Sequence, residues 1–273
     1  MGRCFFRIGR IVVLSLAVSG ALGPRSVLGQ VFQSSHVANL PTATTLPSGD
    51  LLFEISHRFA PPVSEGAEAL WGLDGPVINR LGLAYAVSDQ ALVGVTRSNL
   101  EDNLELGAQM RLFEGGAEGR PLALGVKGAV AWNTSPTLVQ GAEDNESQLY
   151  LQLVLNAGFG PNVALGLVPT YLRNPRIRDF EADDAFVLGV HGQVALSPNL
   201  NFLGEWIVSE NRPGQEFDSG TFGIELRTRG HFFKILLTNQ VRMNPSQVLG
   251  GSAVEFTPDD WRLGFNITRR IVF

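Results

Sequence analysis

The chain has 273 residues, with 21 Lys and Arg against 26 Asp and Glu and a net charge of -5. This acidity leaves no basic stripe for nucleic acid, so we expect no nucleic-acid partner. Glycine is abundant, at 31 residues, and only 17 % of the residues are charged, a composition too apolar for a disordered chain.

Residues 1–29 have the features of a cleaved secretory signal peptide. Basic residues up to Arg10 precede an apolar stretch at 11–22. That stretch is too short to span a bilayer, which needs roughly 20 residues. Gly29 provides a small residue before the expected cleavage site, so we predict that the mature chain begins at Gln30.

Removal of the leader also limits the chemistry that the mature chain can perform. It contains the only cysteine, Cys4, so we predict no disulfide, no Cys-ligated zinc and no thiol nucleophile after cleavage. It also contains four basic residues, which leaves 17 basic and 26 acidic residues and a net charge near -9. Residues 30–49 have no clear strand pattern, and we interpret them as a short periplasmic lead-in, with the lumen of a barrel as the alternative location.

From residue 50 onward, apolar residues alternate with small or polar ones, which predicts β-strands. In one run, Phe186, Leu188 and Val190 alternate with Val187 and Gly189. Twelve such runs occur, at about 50–59, 77–87, 91–98, 103–113, 121–133, 147–159, 162–173, 185–197, 199–209, 220–229, 231–242 and 261–273. Most have 10 to 13 residues, which is long for a globular strand and suits a tilted membrane-crossing strand of about 9–11 residues.

The connections between these runs alternate between long and short. The long ones are 60–76, 134–146, 174–184, 210–219 and 243–260, and the short ones are 88–90, 160–161, 197–198 and the turn near Gly230. Two fit less well, because 99–102 is short where a long loop is expected and 114–120 is longer than a tight turn. Long loops on one side and tight turns on the other are typical of outer-membrane barrels.

The second face of the strands is rich in Gly and Ala, with only one or two charges per strand. That face is too poor in charge for a water-exposed exterior but suits a lumen, and closure satisfies every backbone group in lipid. We therefore predict an all-β fold, an antiparallel up-and-down transmembrane β-barrel of about 12 strands over residues 50–273. We expect it in a bacterial outer membrane, with both termini on the periplasmic side.

The last strand resembles the closing strand of outer-membrane barrels, which ends in Phe and is read by the barrel-assembly machinery. Phe265, Ile267, Ile271 and the terminal Phe273 share one face. We therefore expect the assembly machinery, outer-membrane lipid and lipopolysaccharide as partners. The sequence identifies no specific protein partner.

Four segments near the start of the barrel resemble one protein family. They are LPSG at 46–49, FEISHRF at 53–59, LDG at 73–75 and RLGLAY at 80–85. They are similar to a family of bacterial outer-membrane β-barrel proteins defined as a domain of unknown function. The likeness extends over nearly the whole mature chain. It implies an outer-membrane barrel and no assigned catalytic residue.

Charged and titratable side chains at the strand positions predicted to face inward are the candidate lumen-lining residues. They are Glu54, Arg58, Arg80, Glu105, Arg111, Lys127, His191, Glu205, Glu225, Arg227 and Arg262, together with Lys234 and Arg270. Counting along the strands places Glu54, Lys127, His191, Glu205 and Glu225 near mid-height. Such groups select solutes by charge in a pore. The alternative is a polar network that fills the lumen, since twelve strands lie between filled eight-stranded barrels and open barrels of 16–18 strands.

The long loops contain acidic clusters at 143–146, 179–184 and 255–260. Such carboxylates can bind a divalent cation, or bridge through one to lipopolysaccharide. A solvated rim is the interpretation that we favour. Because no EF-hand loop, phosphate-binding glycine loop or metal-spaced His pair occurs, we predict neither a metal site nor a cofactor.

The leading functional prediction is a narrow, passive, porin-like channel for small solutes. The first alternative is a non-conducting structural barrel with a filled lumen that binds a periplasmic or surface partner. The second is a lipid-modifying enzyme that uses His57 at the outer rim. Its neighbour Ser56 points to the opposite face and no His-x-Ser pattern occurs, so we expect no enzyme.

Overall fold

A computed structural model of the chain describes residues 31–134, 147–175, 184–210 and 215–273, and the predicted signal peptide lies outside them. The described residues form a closed antiparallel barrel of twelve strands, which confirms the predicted fold class. The strands are β1 (Leu51–Phe59), β2 (Val77–Ser88), β3 (Ala91–Ser98), β4 (Asn103–Ala117), β5 (Arg120–Asn133), β6 (Ser147–Phe159), β7 (Val163–Arg173), β8 (Asp184–Ser197), β9 (Leu200–Val208), β10 (Ser219–Thr228), β11 (His231–Thr238) and β12 (Arg262–Ile271).

Closure depends on the pairing of the first and last strands. Leu51 of β1 lies opposite Ile271 of β12, and the register continues without a break to Arg58 opposite Gly264. The ladder ends at Ile271, so Phe273 extends beyond the last strand and is 89 % exposed. Each of the remaining strands pairs with its two neighbours in sequence, so no sheet edge is left open.

The period-two pattern decides which side chains face outward. In β8, Phe186 is 75 % exposed whereas the adjacent Val187 is 3 % exposed. The same contrast recurs around the barrel, where Leu81, Leu83, Leu106, Leu151, Leu165 and Ile235 are all exposed. This apolar exterior suits contact with lipid hydrocarbon. Among the described residues, no helix is long and apolar enough to cross a membrane.

The two ends of the barrel differ in their connections. One end, which we call the short-turn rim, carries the tight turns, among them 118–119 and 229–230. The other end, the long-loop rim, carries the longer connections. These include short helical turns at Val63–Gly72 and Leu100–Asp102 and the single-turn helix α1 (Pro245–Val248).

Two predicted boundaries are wrong. The segment 114–120 is not a loop, because β4 and β5 pair as far as Ala117 and Arg120. Gly119, at a φ of 72°, provides the left-handed backbone that the resulting tight turn requires. The run 231–242 ends early, at Thr238, because the next side chain bonds outside the ladder: the Asn239 amide donates to Asp218 and Val254 carbonyls at 2.8 Å each.

Candidate functional site

Two segments of the chain lie inside the barrel. Residues 31–45, which we call the N-terminal plug, are mostly buried within the lumen. Residues 243–252, the loop plug, fold inward from the long-loop rim and are all buried. The lumen was the alternative location for the lead-in, whereas the segment 243–260 was predicted only as a long loop.

The wall residue Glu205 binds the tip of the N-terminal plug. The tip is a tight turn in which the Val37 N–H donates to the Leu40 carbonyl at 2.9 Å. The backbone N–H groups of Ala38, Asn39 and Leu40 donate to the Glu205 carboxylate at 3.1, 3.0 and 3.0 Å. Hydrogen bonds to an ionised acceptor are about twice as strong as neutral ones. Glu205 therefore fixes the plug at this point.

Two further wall cations bind the same plug. Arg58 donates to the Asn39 side-chain oxygen at 3.3 Å. The Lys234 ammonium donates to the His36 carbonyl at 2.7 Å and to the Ser34 hydroxyl at 3.1 Å, and lies 3.4 Å from the Glu225 carboxylate.

The loop plug is bound through Asn103 and Glu105 at the start of β4. Glu105 accepts hydrogen bonds from the Tyr150 hydroxyl at 2.6 Å and from the Ser246 N–H at 3.2 Å. The Asn244 amide donates to the Asn103 side-chain oxygen at 2.6 Å.

One ion pair of the wall contacts both plugs. Glu54 and Arg80 form a buried salt bridge. His36 of the N-terminal plug places its Nε2 3.0 Å from Glu54, and Arg80 donates to the Met243 carbonyl of the loop plug at 2.7 Å. The positions of the two plugs are therefore linked through a single pair of side chains.

His36 has a perturbed pKa. Burial lowers it from 6.5; the Glu54 carboxylate opposes this effect, and Lys234 and Arg80 add to it. The neutral imidazole is thus the favoured form while the plug is in place.

The plugs pack by apolar contact mainly against one side of the wall. Inward side chains on β6 to β9 and β11 form this apolar half: Tyr150, Val154, Val168, Leu172, Val187, Leu203, Ile207 and Leu236. Leu40 and Leu249 of the plugs are buried against it. Gly189 makes room for the contact, because a Cβ there would lie 2.7 Å from Leu40 Cδ2.

A cleft remains on the opposite side, between the plugs and the inner face of β1 to β5. Its volume is about 110 Å³. Small inward residues on β2 to β4, namely Gly82, Ala84, Gly94, Thr96 and Gly107, form one wall, and Glu54, Arg80, Glu105 and Lys127 also line it. The lining runs from Leu52 and Leu92 near the short-turn rim to Pro245 of the loop plug. Since one water needs only about 10–15 Å³ and polar partners, the cleft can hold several waters.

The structure brings some predicted lumen residues together and leaves others at the rims. Glu54, Arg80, Glu105 and Lys127 line the cleft, whereas Arg58 and Glu205 bind the N-terminal plug and Glu225 pairs with the wall residue Lys234. His191 lies against the plug, with its ring 5.0 Å from that of Phe32. Three arginines bond at the barrel ends: Arg111 to Glu114 at 2.8 Å, Arg227 to the Pro198 carbonyl at 2.8 Å and Arg262 to the Ala60 carbonyl at 2.8 Å.

Residues of both plugs were missing from the sequence-based candidates. His36, Asn39 and Ser246 all contact wall residues that parity had placed inward. Their own segments do not alternate between apolar and polar residues, so the strand pattern could not predict which way these side chains point. The available signal was the glycine-rich inner face, since Gly189 leaves space that Leu40 fills.

The structure places His57 and Ser56 on opposite faces of β1. His57 faces outward, with its ring 4.5 Å from that of Phe265, whereas Ser56 faces inward and donates to Glu54 at 2.5 Å. Within the described ranges, no group of acidic or His side chains could hold a metal ion. The acidic cluster 143–146 and all but Asp184 of the cluster 179–184 lie outside those ranges.

Comparison with known proteins gives one family and several similar folds. A family described as a membrane bound beta barrel domain matches residues 32–271. No curated protein matches the chain significantly. Among solved structures, the NanC porin is 9 % identical with a TM-score of 0.49, over 82 % of this chain and 100 % of that one.

The KdgM porin is 7 % identical with a TM-score of 0.46, over 82 % of this chain and 99 % of that one. The outer membrane phospholipase A from Escherichia coli is 13 % identical with a TM-score of 0.43, over 81 % and 90 %. Identities and scores this low carry no argument about function.

Proposed function

This chain belongs to the family of membrane-bound β-barrel domains, and on that premise we propose that it is a porin-like channel for small polar solutes in a bacterial outer membrane. In this proposal, the two plugs occupy most of the lumen and solutes pass along the cleft beside β2 to β4. The channel is passive and performs no catalysis.

The single observation that carries the proposal is the uneven filling of the lumen. The plugs pack against the apolar inner face of β6 to β9 and β11. The other side keeps a cleft of about 110 Å³ lined by glycines and charged side chains. A barrel that is filled only for stability would gain from packing on both sides, because voids cost dispersion energy. A cleft that reaches from Leu92 to Pro245 and has charged side chains in its lining suits small hydrated solutes.

The outer-membrane location rests on the chemistry of the chain. A signal peptide before Gln30 would export it, and a closed barrel with an apolar exterior needs a bilayer. Outer-membrane lipid, lipopolysaccharide and the barrel-assembly machinery are the partners in this proposal. The short-turn rim would then face the periplasm, as in bacterial barrels of this type.

A non-conducting scaffold barrel is the second candidate, and one observation favours it. The Glu205 carboxylate binds three consecutive N–H groups of the N-terminal plug, an arrangement suited to a permanently seated segment. Such a protein would bind a partner through the loops or turns at the ends of the barrel.

Conductance separates the two candidates. The mature chain is refolded, its folded barrel is verified by a gel shift on heating, and currents are recorded in a planar bilayer. The channel proposal expects small discrete current steps. A silent bilayer containing demonstrably folded barrel would overturn it in favour of the scaffold.

A further inference from the structure

One arginine near the short-turn rim is on the outer face of the barrel. Arg269 lies on β12, where its neighbours Asn266 and Thr268 face inward and are buried, whereas Arg269 itself is exposed. Its guanidinium is hydrogen-bonded to the ring of His231. Across the described residues, it forms no ion pair with a carboxylate.

Outward arginines at the long-loop rim are placed differently. Arg97 is 2.7 Å from the Asp102 carboxylate. Arg173 lies directly opposite Asp184 in the ladder between β7 and β8. Each of these arginines therefore has an acidic residue of the chain beside it.

The positions that surround Arg269 contain no acid. Those directly opposite are His231 on β11 and Phe53 on β1. The next outward positions along β12 are Ile267 and Ile271. The positive charge of Arg269 is therefore available to a negative group outside the chain.

His231 orients the guanidinium. Because arginine can only donate, its Nη1–H donates to the His231 Nε2 at 2.6 Å, and the neutral ring carries its proton on Nδ1. The His231 ring stacks on Phe233, with centroids 5.5 Å apart and planes 19° apart. The other guanidinium N–H groups and the imidazole Nδ1–H can donate to a ligand.

The depth of Arg269 suits a lipid headgroup. The strand ends two residues later, at Ile271, and the Arg270 N–H donates to the Gly230 carbonyl of the adjacent turn at 2.8 Å. At about 3.3 Å per residue, Arg269 lies about 7 Å along the strand from its end. A charge on the lipid face is costly at the bilayer midplane but costs little near the interface, where a long side chain extends toward the headgroups.

We propose that Arg269 and His231 bind the phosphate of a phospholipid in the leaflet at the short-turn rim. A phosphate diester offers a negative charge and acceptor oxygens, which a guanidinium can bind through two N–H groups. Phe53 and Phe233, each 36 % exposed, flank these donors and provide apolar contact for the acyl chains. This binding depends on insertion of the barrel into a membrane and not on conduction.

Titration with a soluble phospholipid tests the site. The mature chain is refolded in an uncharged detergent and verified by its gel shift on heating. It is labelled with ¹⁵N-histidine, and the His231 ring signal is assigned by its loss in His231→Gln. We expect a saturable shift of this signal with dihexanoylphosphatidylglycerol, and none with dihexanoylglycerol, which has the same acyl chains and no phosphate. A shift with both lipids or with neither, or an equal shift with inorganic phosphate, would overturn the proposal.

Variants show whether Arg269 is responsible for the binding. Arg269→Gln removes the charge and should weaken phospholipid binding about tenfold to a hundredfold, the value of one hydrogen bond to a charged group. Native mass spectrometry measures this affinity. Arg120→Gln is the matched control, because Arg120 is also exposed near the short-turn rim, at the start of β5, where it lies opposite Ala117. An unchanged affinity in Arg269→Gln, or an equal loss in Arg120→Gln, would contradict the assigned site.

Discussion

Asn39 donates two hydrogen bonds to one oxygen of Glu205, from its backbone N–H at 3.0 Å and its side-chain amide at 2.5 Å. The two residues are separated by 166 positions in the chain. One belongs to the wall and the other to the tip of the N-terminal plug. This contact is therefore one of those that hold the plug in place.

Glu205→Gln should loosen the N-terminal plug. The amide keeps the shape of the side chain but loses the charge, and a hydrogen bond to a charged group is worth about 1.5–3 kcal/mol. We expect hydrogen exchange at Ala38, Asn39 and Leu40 to accelerate about tenfold to a hundredfold. NMR of the barrel in detergent micelles measures this exchange. In the control Glu114→Gln, which affects a pair with Arg111 at the short-turn rim, exchange should not change.

Gly189→Leu should displace the same plug by steric contact alone. Any Cβ at this position meets Leu40 at 2.7 Å, and a leucine takes the space that the plug occupies. We expect a larger single-channel conductance from a barrel that still shows its gel shift on heating. Gly204→Leu is the control, because a Cβ there meets no atom closer than 3.8 Å. A conductance increase in both variants would mean that the altered wall, and not displacement of the plug, causes the increase.

Acid should release the plug through His36. Its pKa in the seated plug is lowered from 6.5, chiefly by burial. A released plug, in which the ring regains its ordinary pKa, binds more protons, so stability of the seated state is present above about pH 6.5 and falls below it. NMR titration of the ring, assigned with His36→Gln, should give a pKa below 6.5. A raised value would mean that Glu54 outweighs burial.

Deleting Phe273 should impair assembly of the barrel in cells without preventing its refolding in detergent. The residue lies beyond the β1–β12 ladder and is 89 % exposed, so its loss removes no strand pairing. We expect normal refolding in detergent but a reduced amount of folded barrel in cells, measured by the gel shift on heating. Normal assembly in cells would contradict the prediction that the closing strand, with Phe265, Ile267 and Ile271, ends in an assembly signal.

Much of the wall could be predicted from sequence because its signal is local. A side chain on a strand points either in or out, so the pattern around Phe186 and Val187 assigns a face at once. The same parity placed Glu54, Arg80, Glu105 and Glu205 on the inner face. It failed only near the ends, at 114–120 and beyond Thr238, where glycines and amides follow no apolar period.

The contents of the lumen could not be predicted, because the contacts that hold them are remote in sequence. Glu205 and Glu225 were expected to select ions at mid-height. In the structure, Glu205 binds the plug and Glu225 pairs with Lys234, and neither lines the cleft. The segment that binds Glu205 has no strand period of its own. Only the small inner-face residues, such as Gly189, indicated that space was left for another segment.

The most direct test of the proposed passage narrows the cleft while leaving the plugs in place. Gly82→Leu adds a side chain that projects into the cleft, and its Cβ fits at 3.4 Å from Thr96 and 3.5 Å from Glu54. Leu83→Ile, on the outer face of the same strand, is the control. We expect discrete single-channel steps in the wild type and the control, and steps reduced or abolished in Gly82→Leu. Undiminished conductance in folded Gly82→Leu would contradict passage along the cleft.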